Sequence, residues 1–402
     1  MKLGHTLPVS ELQKRPTTSI IKKNVSRDFK LVPEDFKGRR GKSKSVHKAV
    51  EHQGPDPIRQ TIFRSAQKIE PFVNIKGIGD FGSPHDPTGD VSDQYYVQMV
   101  NLTNIGVFDL RGNLLSQFSA NTLWTEFDQV SEGDPIVLYD ENADRWILTE
   151  FARPANALIA VSDTGDPLGS YAVYNFSTPN FPDYPKYALS PDILTFTSNE
   201  EGPSELHQYF IDLQGLYNGD AEVDMQRVRL PGNETIEGGF YVTTPVDWNG
   251  KFQPFDKRPI TITINDSSWD GGPANDQIEI YSFNVDFTDS SRTSVTNTSI
   301  ITTPFDPYPC SEKGFGFACV PQLGGDGLDA VPEVIMNMPH MRNFETHESM
   351  VLSFVTDVTN GNNRSGIRWM ELRRSSAQEN WTLYQEGTFA PNDGKDRFMP
   401  SI

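Results

Sequence analysis

The sequence predicts an all-β fold, a β-propeller of about six four-stranded blades with the last blade incomplete. Three observations carry this. The periodic segments are short runs of β-branched and aromatic residues, such as 95–100, 136–139, 146–151, 260–264 and 350–355, separated by turn-forming pieces such as 140–144 and 359–363. No stretch keeps an apolar stripe of helical period over three turns; 204–217 comes nearest and reads mostly as strand. Asp86-Pro87, Asp134-Pro135 and Pro182-Asp183-Tyr184-Pro185 recur at intervals of 48 and 49 residues, the length of a four-strand blade with its turns.

Residues 1–70 read as a basic, largely irregular arm. The first 50 carry 13 Lys plus Arg against 4 Asp plus Glu, whereas the other 352 carry 22 against 50. Within the arm, Lys37-Gly38-Arg39-Arg40-Gly41-Lys42-Ser43-Lys44 reads as a solvated segment lying across an acidic body. The start, Met1-Lys2-Leu3-Gly4-His5, has no apolar run of signal-peptide length.

The propeller is expected over 71–402. Its second unit shows the pattern most fully, with strands at 136–139, 146–151, 158–161 and 171–176 joined by tight turns. A fourth unit covers about 238–303 and a fifth about 334–389. Between them, 304–332 reads as a long loop. It carries Cys310 and Cys319, which form either a disulfide closing a small loop or two buried thiols. Two thiols alone make a poor metal site. A sixth unit begins at Arg397-Phe398-Met399 and stops, leaving either a gap or closure by an N-terminal strand around 61–72.

Composition narrows the function. Over 402 residues the formal net charge is −19, which argues against nucleic-acid binding, because neutralising phosphates needs a surplus of Lys and Arg. No run approaches 18 apolar residues, so no membrane-spanning helix is expected.

A resemblance enters at specific motifs. His85-Asp86-Pro87-Thr88-Gly89, Gly133-Asp134-Pro135-Ile136-Val137-Leu138-Tyr139-Asp140 with Arg145-Trp146, and Ser162-Asp163-Thr164-Gly165-Asp166-Pro167-Leu168-Gly169-Ser170-Tyr171 come first. Phe181-Pro182-Asp183-Tyr184-Pro185-Lys186-Tyr187, Thr346-His347-Glu348-Ser349, Gly366-Ile367-Arg368-Trp369-Met370-Glu371-Leu372-Arg373 and Tyr384-Gln385-Glu386-Gly387-Thr388 follow. In this order, across about 50–402, they resemble a family of large secreted bacterial β-propeller proteins whose biochemical function is mostly unassigned. Met370 stands where that family usually has Tyr, and Phe398 where it usually has Trp. Relatives begin with a signal peptide and continue past the position of Ile402, so a truncated chain is expected. The resemblance implies an extracellular or cell-surface location.

Residues just before each blade's first strand gather near one mouth of a propeller's channel. Asp86, Asp134, Asp183 and the pair His347-Glu348 are placed there by the repeat. A ring of Asp86, Asp134 and Asp183 suits Ca²⁺, a hard cation that takes oxygen ligands. Close carboxylates also suit acid–base work on a glycosidic bond, which makes Asp134, Asp183, His347 and Glu348 the catalytic candidates. A third reading has each Asp fixing the turn into its strand. Asp140-Glu141-Asn142-Ala143-Asp144 opens like a calcium loop, but Arg145 occupies the position of the required Gly, so it reads as a hairpin turn.

Arg145, Arg342, Arg368 and Arg373 are either anion forks or partners of acidic neighbours. Trp248 and Trp269, in loop-like contexts, either stack on a sugar ring or cover the core edge. No Gly-x-Ser-x-Gly, His-Glu-x-x-His or phosphate-binding loop occurs. The favoured reading is a non-catalytic recognition or adhesion propeller, Ca²⁺-stabilised, gripping an extracellular glycan or protein through Asp86, Asp134, Asp183, Arg368, Trp248 and Trp269. The alternative is a carbohydrate-active hydrolase using the channel-mouth carboxylates.

Overall fold

The computed structural model describes residues 2–12, 55–61, 71–79, 85–101, 104–200, 206–230, 242–269, 272–309, 318–325, 327–359 and 364–402. Two N-terminal strands, β1 (Lys2–His5) and β2 (Arg59–Gln60), are additions to sheets formed later in the chain. Blade 1 is β3 (Thr88–Val91), β4 (Tyr95–Val100), β5 (Asn104–Asp109) and β6 (Leu114–Ser119). Blade 2 is β7 (Gly133–Asp140), β8 (Arg145–Ala152), β9 (Asn156–Ser162) and β10 (Tyr171–Ser177). Blade 3 is β11 (Pro182–Ser190), β12 (Ile193–Glu200), β13 (His207–Asp212) and β14 (Met225–Arg229). Each is an antiparallel meander paired in sequence order.

Blades 4 and 5 share their inner chain. β15 (Thr244–Pro245) pairs with β17 (Ile260–Asn265) in blade 4, completed by β18 (Gln277–Asn284) and β19 (Ser294–Ile301). Two residues after β15, β16 (Asp247–Asn249) crosses over and runs parallel to the inner strand of blade 5. A small hairpin, β20 (Ala318–Val320) with β21 (Leu328–Asp329), precedes that blade. Blade 5 itself is β22 (His340–Asn343), β23 (Glu348–Asp357), β24 (Ser365–Arg374) and β25 (Thr382–Phe389).

The described residues therefore form an all-β propeller, with five larger sheets of five, four, four, six and four strands, each built around a four-stranded meander, beside the β20–β21 hairpin. Arg397-Phe398-Met399 does not open a further blade. Arg397 N donates to Ser365 O at 3.1 Å, and Phe398 packs against Val320, Ala330, Val355 and Ile367, so the C-terminal stretch caps blade 5. Parts of the expected irregular arm also join the fold. β1 pairs with β10 as a fifth outer strand of blade 2, and β2 runs parallel to β25 on the outer edge of blade 5. Residues 62–70 of the expected closing strand, and the Lys37–Lys44 basic run, lie outside the described residues. So does Cys310, together with the side chain of Cys319, and with them the expected disulfide.

Alternation along each strand sends one row of side chains to each neighbouring blade. Val97, Met99, Val107, Val137, Trp146 and Leu148 fill the seam between blades 1 and 2. Tyr187, Phe196 and Tyr209 meet Ile147, Ile159 and Tyr174 between blades 2 and 3, with the Phe196 and Tyr209 rings stacked at 4.3 Å. Burying such aromatic rows contributes about 2–3 kcal/mol per ring, which holds blades face to face with few covalent links. The segment 213–217, expected as strand, is instead helical. Leu213–Asn218 forms a short helix because Asp212 accepts from Gln214 N at 3.1 Å as its cap and Gly219, at φ 70°, ends it.

Candidate active site at the channel mouth

Three successive blades begin in the same unusual way. Asp86, Asp134 and Tyr184 have left-handed backbones, at φ 36°, 46° and 52°, and each precedes a proline. Such a conformation in a residue with a Cβ costs about 1–3 kcal/mol and persists only where its surroundings enforce it. Register shifts accompany it, between Gly133 and Ile136 in β7 and between Asp183 and Lys186 in β11. A β-bulge re-aims the side chains beside it. In blades 2 and 3 it turns the lead-ins so that Asp134, Asp183 and Lys186 interact with one another and with Asp86 of blade 1.

Asn101, buried at the end of β4, ties two of these lead-ins together. Its Nδ2 donates to Asp86 Oδ2 at 2.9 Å and its Oδ1 accepts Asp134 N at 3.2 Å. Gly133 leaves room for it, since a Cβ there would lie 2.1 Å from Asn101 Oδ1. Electrostatics then separates the carboxyls. Burial, reinforced by the neighbouring Asp183 and Asp86 charges, pushes the Asp134 carboxyl up to about 7. Burial also raises Asp86, while Lys186 and the Asn101 hydrogen bond act to keep it ionised. Asp86 is exposed as a residue, with its carboxyl partly enclosed against Asn101; Asp134, Asp183 and Lys186 are half-buried. The arrangement can offer a proton from Asp134 and accept one at Asp86.

Deeper in the channel, carboxylates serve as struts. Asp90 Oδ2 accepts Tyr139 N at 2.8 Å, joining blade 1 to blade 2, and burial pushes its carboxyl up to about 6. Asp247 Oδ1 accepts Leu189 N at 2.7 Å, joining β16 to blade 3, with His340 Nδ1 3.7 Å from Oδ2.

Several expected site residues lie elsewhere. His347 and Glu348 do not precede an inner strand; they end the turn from β22 into β23, at the opposite end of that strand from the Asp134 position. His347 stacks on Phe344, and Glu348 is fully buried against Arg374 Nε at 2.5 Å. Arg368 is not a ligand fork. At 0% exposure it pairs with Asp56 at 2.8 Å and Glu386 at 3.3 Å and donates to Thr388 Oγ1 at 2.7 Å. Trp248 and Trp269 are 6% and 8% exposed and belong to the core between blades 4 and 5, so no ring face is open to a sugar.

The fit for Ca²⁺ is poor. The positive charge among Asp86, Asp134 and Asp183 is the ammonium of Lys186, and among the described residues no three His, Cys, Asp or Glu are arranged to hold a metal ion. The repeat led to the Asp residues but missed Tyr184, Lys186, Asn101 and Asp90. Aligning the prolines at 87, 135 and 185 was the available signal, because it sets Tyr184, not Asp183, in register with Asp134 and sets Lys186 against Thr88 and Ile136. A separate hollow of about 560 Å³ lies against blade 1, lined by Lys76, Ile78, Phe108 and Leu114, away from these carboxyls.

No family model and no curated protein matches the chain. Among solved structures it is similar to a GH43 β-1,3-galactosidase, at 11% identity and a TM-score of 0.33, covering 79% of this chain and 59% of that one. The chain thus spans less than two thirds of that protein. It is also similar to the GH43_1 enzyme from Xanthomonas citri complexed with xylose, at 10% identity, TM-score 0.35, and coverage of 78% and 93%. The catalytic domain of the Coprinopsis cinerea GH62 α-L-arabinofuranosidase matches at 12% identity, TM-score 0.31, and coverage of 76% and 92%. Likeness at these TM-scores carries no inference about activity, and the propeller rests on the strand pairing described above.

Proposed function

We propose that the protein is a glycoside hydrolase whose active site is the channel mouth formed by blades 1–3. The observation that supports this is the convergence of Asp86, Asp134 and Asp183, with burial and these neighbours raising the Asp134 carboxyl to about 7, so that it keeps a proton well above the usual carboxylate range. In this reading Asp134 is the general acid and Asp86, the solvent-facing carboxylate, is the base. The glycosidic C–O bond breaks as Asp134 gives its proton to the leaving oxygen. Water adds to the anomeric carbon and its proton passes to Asp86, after which solvent exchange restores both groups. Asp183 acts through Asp134, by raising its affinity for the proton. No step needs a metal ion. The recognition reading loses support because Arg368, Trp248 and Trp269 are committed to the interior.

The test is reducing-end release from a panel of neutral, uronic and sulfated polysaccharides, with folded wild-type protein and Asp134→Asn. Release that is lost in a folded Asp134→Asn protein is expected. A folded wild type inactive across the panel, or an Asp134→Asn protein of undiminished turnover, overturns the proposal and returns recognition to the lead.

A further inference from the structure

The bulge in β11 sets a lysine ammonium into this mouth. With Tyr184 in the left-handed conformation, Lys186 lies over its ring, Nζ 3.6 Å from the centroid, and donates to Pro185 O at 3.2 Å. The ring quadrupole attracts an ammonium placed on its face. In the aligned lead-ins of blades 1 and 2 the same position holds Thr88 and Ile136, so the cation belongs to blade 3 alone.

We propose that Lys186 is a positioning residue of the acid–base site: pinned over the Tyr184 ring at the lead-ins of blades 1–3, its ammonium is the counter-charge that lets Asp86, Asp134 and Asp183 share the site with a single proton. The titratable groups around it are Asp86 and His85 from blade 1, Asp134 from blade 2, Asp183 and Tyr184 from its own strand, and Asp329 of β21 behind Tyr184. Three carboxyls this close do not all ionise without a counter-charge. With one, a single proton suffices. Burial lowers the Lys186 ammonium itself, to about 8, while the three carboxylates hold it up. Without those carboxylates the same burial would favour the neutral amine, so acid and ammonium sustain each other's charge state.

The inference rests on the acid–base reading of this mouth, but its readout needs no substrate. The carboxyl carbons of Asp-labelled protein are titrated by NMR in the wild type, Lys186→Met and Lys186→Arg. Lys186→Met is expected to raise the Asp134 midpoint by about one pH unit or more, a tenfold change in ionisation, and Lys186→Arg to restore most of it. An unmoved midpoint in folded Lys186→Met overturns the proposal. If Lys186→Met does not fold, the wild-type Lys186 Cε titration decides. A midpoint at the ordinary lysine value overturns the proposal, and a depressed one that falls further in Asp134→Asn upholds it. A moved Asp134 midpoint without turnover on any glycan sinks the hydrolase and keeps the charge assignment. Turnover with an unmoved midpoint does the reverse.

Discussion

Asn101 Oδ1 accepts the backbone N–H of Asp134 at 3.2 Å, so a side chain from the second strand of blade 1 fixes the lead-in to blade 2. The same carboxamide holds Asp86 at 2.9 Å. Asn101→Ala is expected to lower stability by about 1–3 kcal/mol, the cost of orphaned buried partners, and to lower turnover with it. Gly133→Ala sets a Cβ against Asn101 Oδ1 at φ 124° and is expected to cost as much or more. The double variant relieves the clash, so a denaturation cycle should give a loss smaller than the sum. Additive losses would refute the contact.

Asp134→Asn separates chemistry from folding. Removing a general acid is expected to cut turnover by about 10²–10⁴. The folded carboxyl lies above its unfolded value of 3.8, so its stabilising contribution is complete below pH 4 and lost as pH rises toward 7. Asn removes that loss. The variant should therefore be inactive yet at least as stable as wild type at pH 8, measured by urea unfolding. A destabilised variant at that pH would mark Asp134 as a turn-fixing residue instead.

Glu150 offers the same linkage away from the site. It is buried, its Oε2 accepts Trp124 Nε1 at 2.6 Å, and burial pushes it from 4.5 up to about 7. Wild-type stability should decline as pH rises between these values. Glu150→Gln should flatten that slope and gain on the order of 2 kcal/mol over wild type above pH 7. Parallel pH–stability curves would show that Glu150 does not carry the proton.

Arg368→Met strands Asp56 and Glu386 in the interior. A loss of about 3–5 kcal/mol is expected, with turnover per folded molecule unchanged. Trp248→Ala and Trp269→Ala should likewise cost about 3–5 kcal/mol as core truncations without a selective loss of glycan affinity. Calorimetry with binding measured on the folded fraction distinguishes the two roles; a selective affinity loss at preserved stability would restore them as ligand residues.

The recurrence near 48 residues and the alternating strands were readable because a blade is a local meander, whose turns and periodicity lie in contiguous sequence. That is why the lead-ins at Asp86 and Asp134 were found, along with the strands of blades 2, 4 and 5. His347 was misplaced because β22 is only four residues long and follows a loop, so the His-Glu pair resembled a lead-in when it closes a hairpin. Trp248 looked like a loop residue for a related reason. The chain around it leaves blade 4 and pairs parallel with blade 5, a contact between segments about 90 residues apart.

By itself the sequence determined that this chain is a β-propeller and placed Asp86 and Asp134 at the openings of blades 1 and 2, since both follow from local period and turn chemistry. Only the tertiary structure decided which polar residues are available. Whether Arg368 meets a ligand or Asp56, 312 positions away, depends on which strands come to share a sheet. Whether Asp134 keeps a proton depends on Lys186 and Asp183 arriving from another blade. Burial and charge are properties of neighbours in space, and in this fold the decisive neighbours come from different blades.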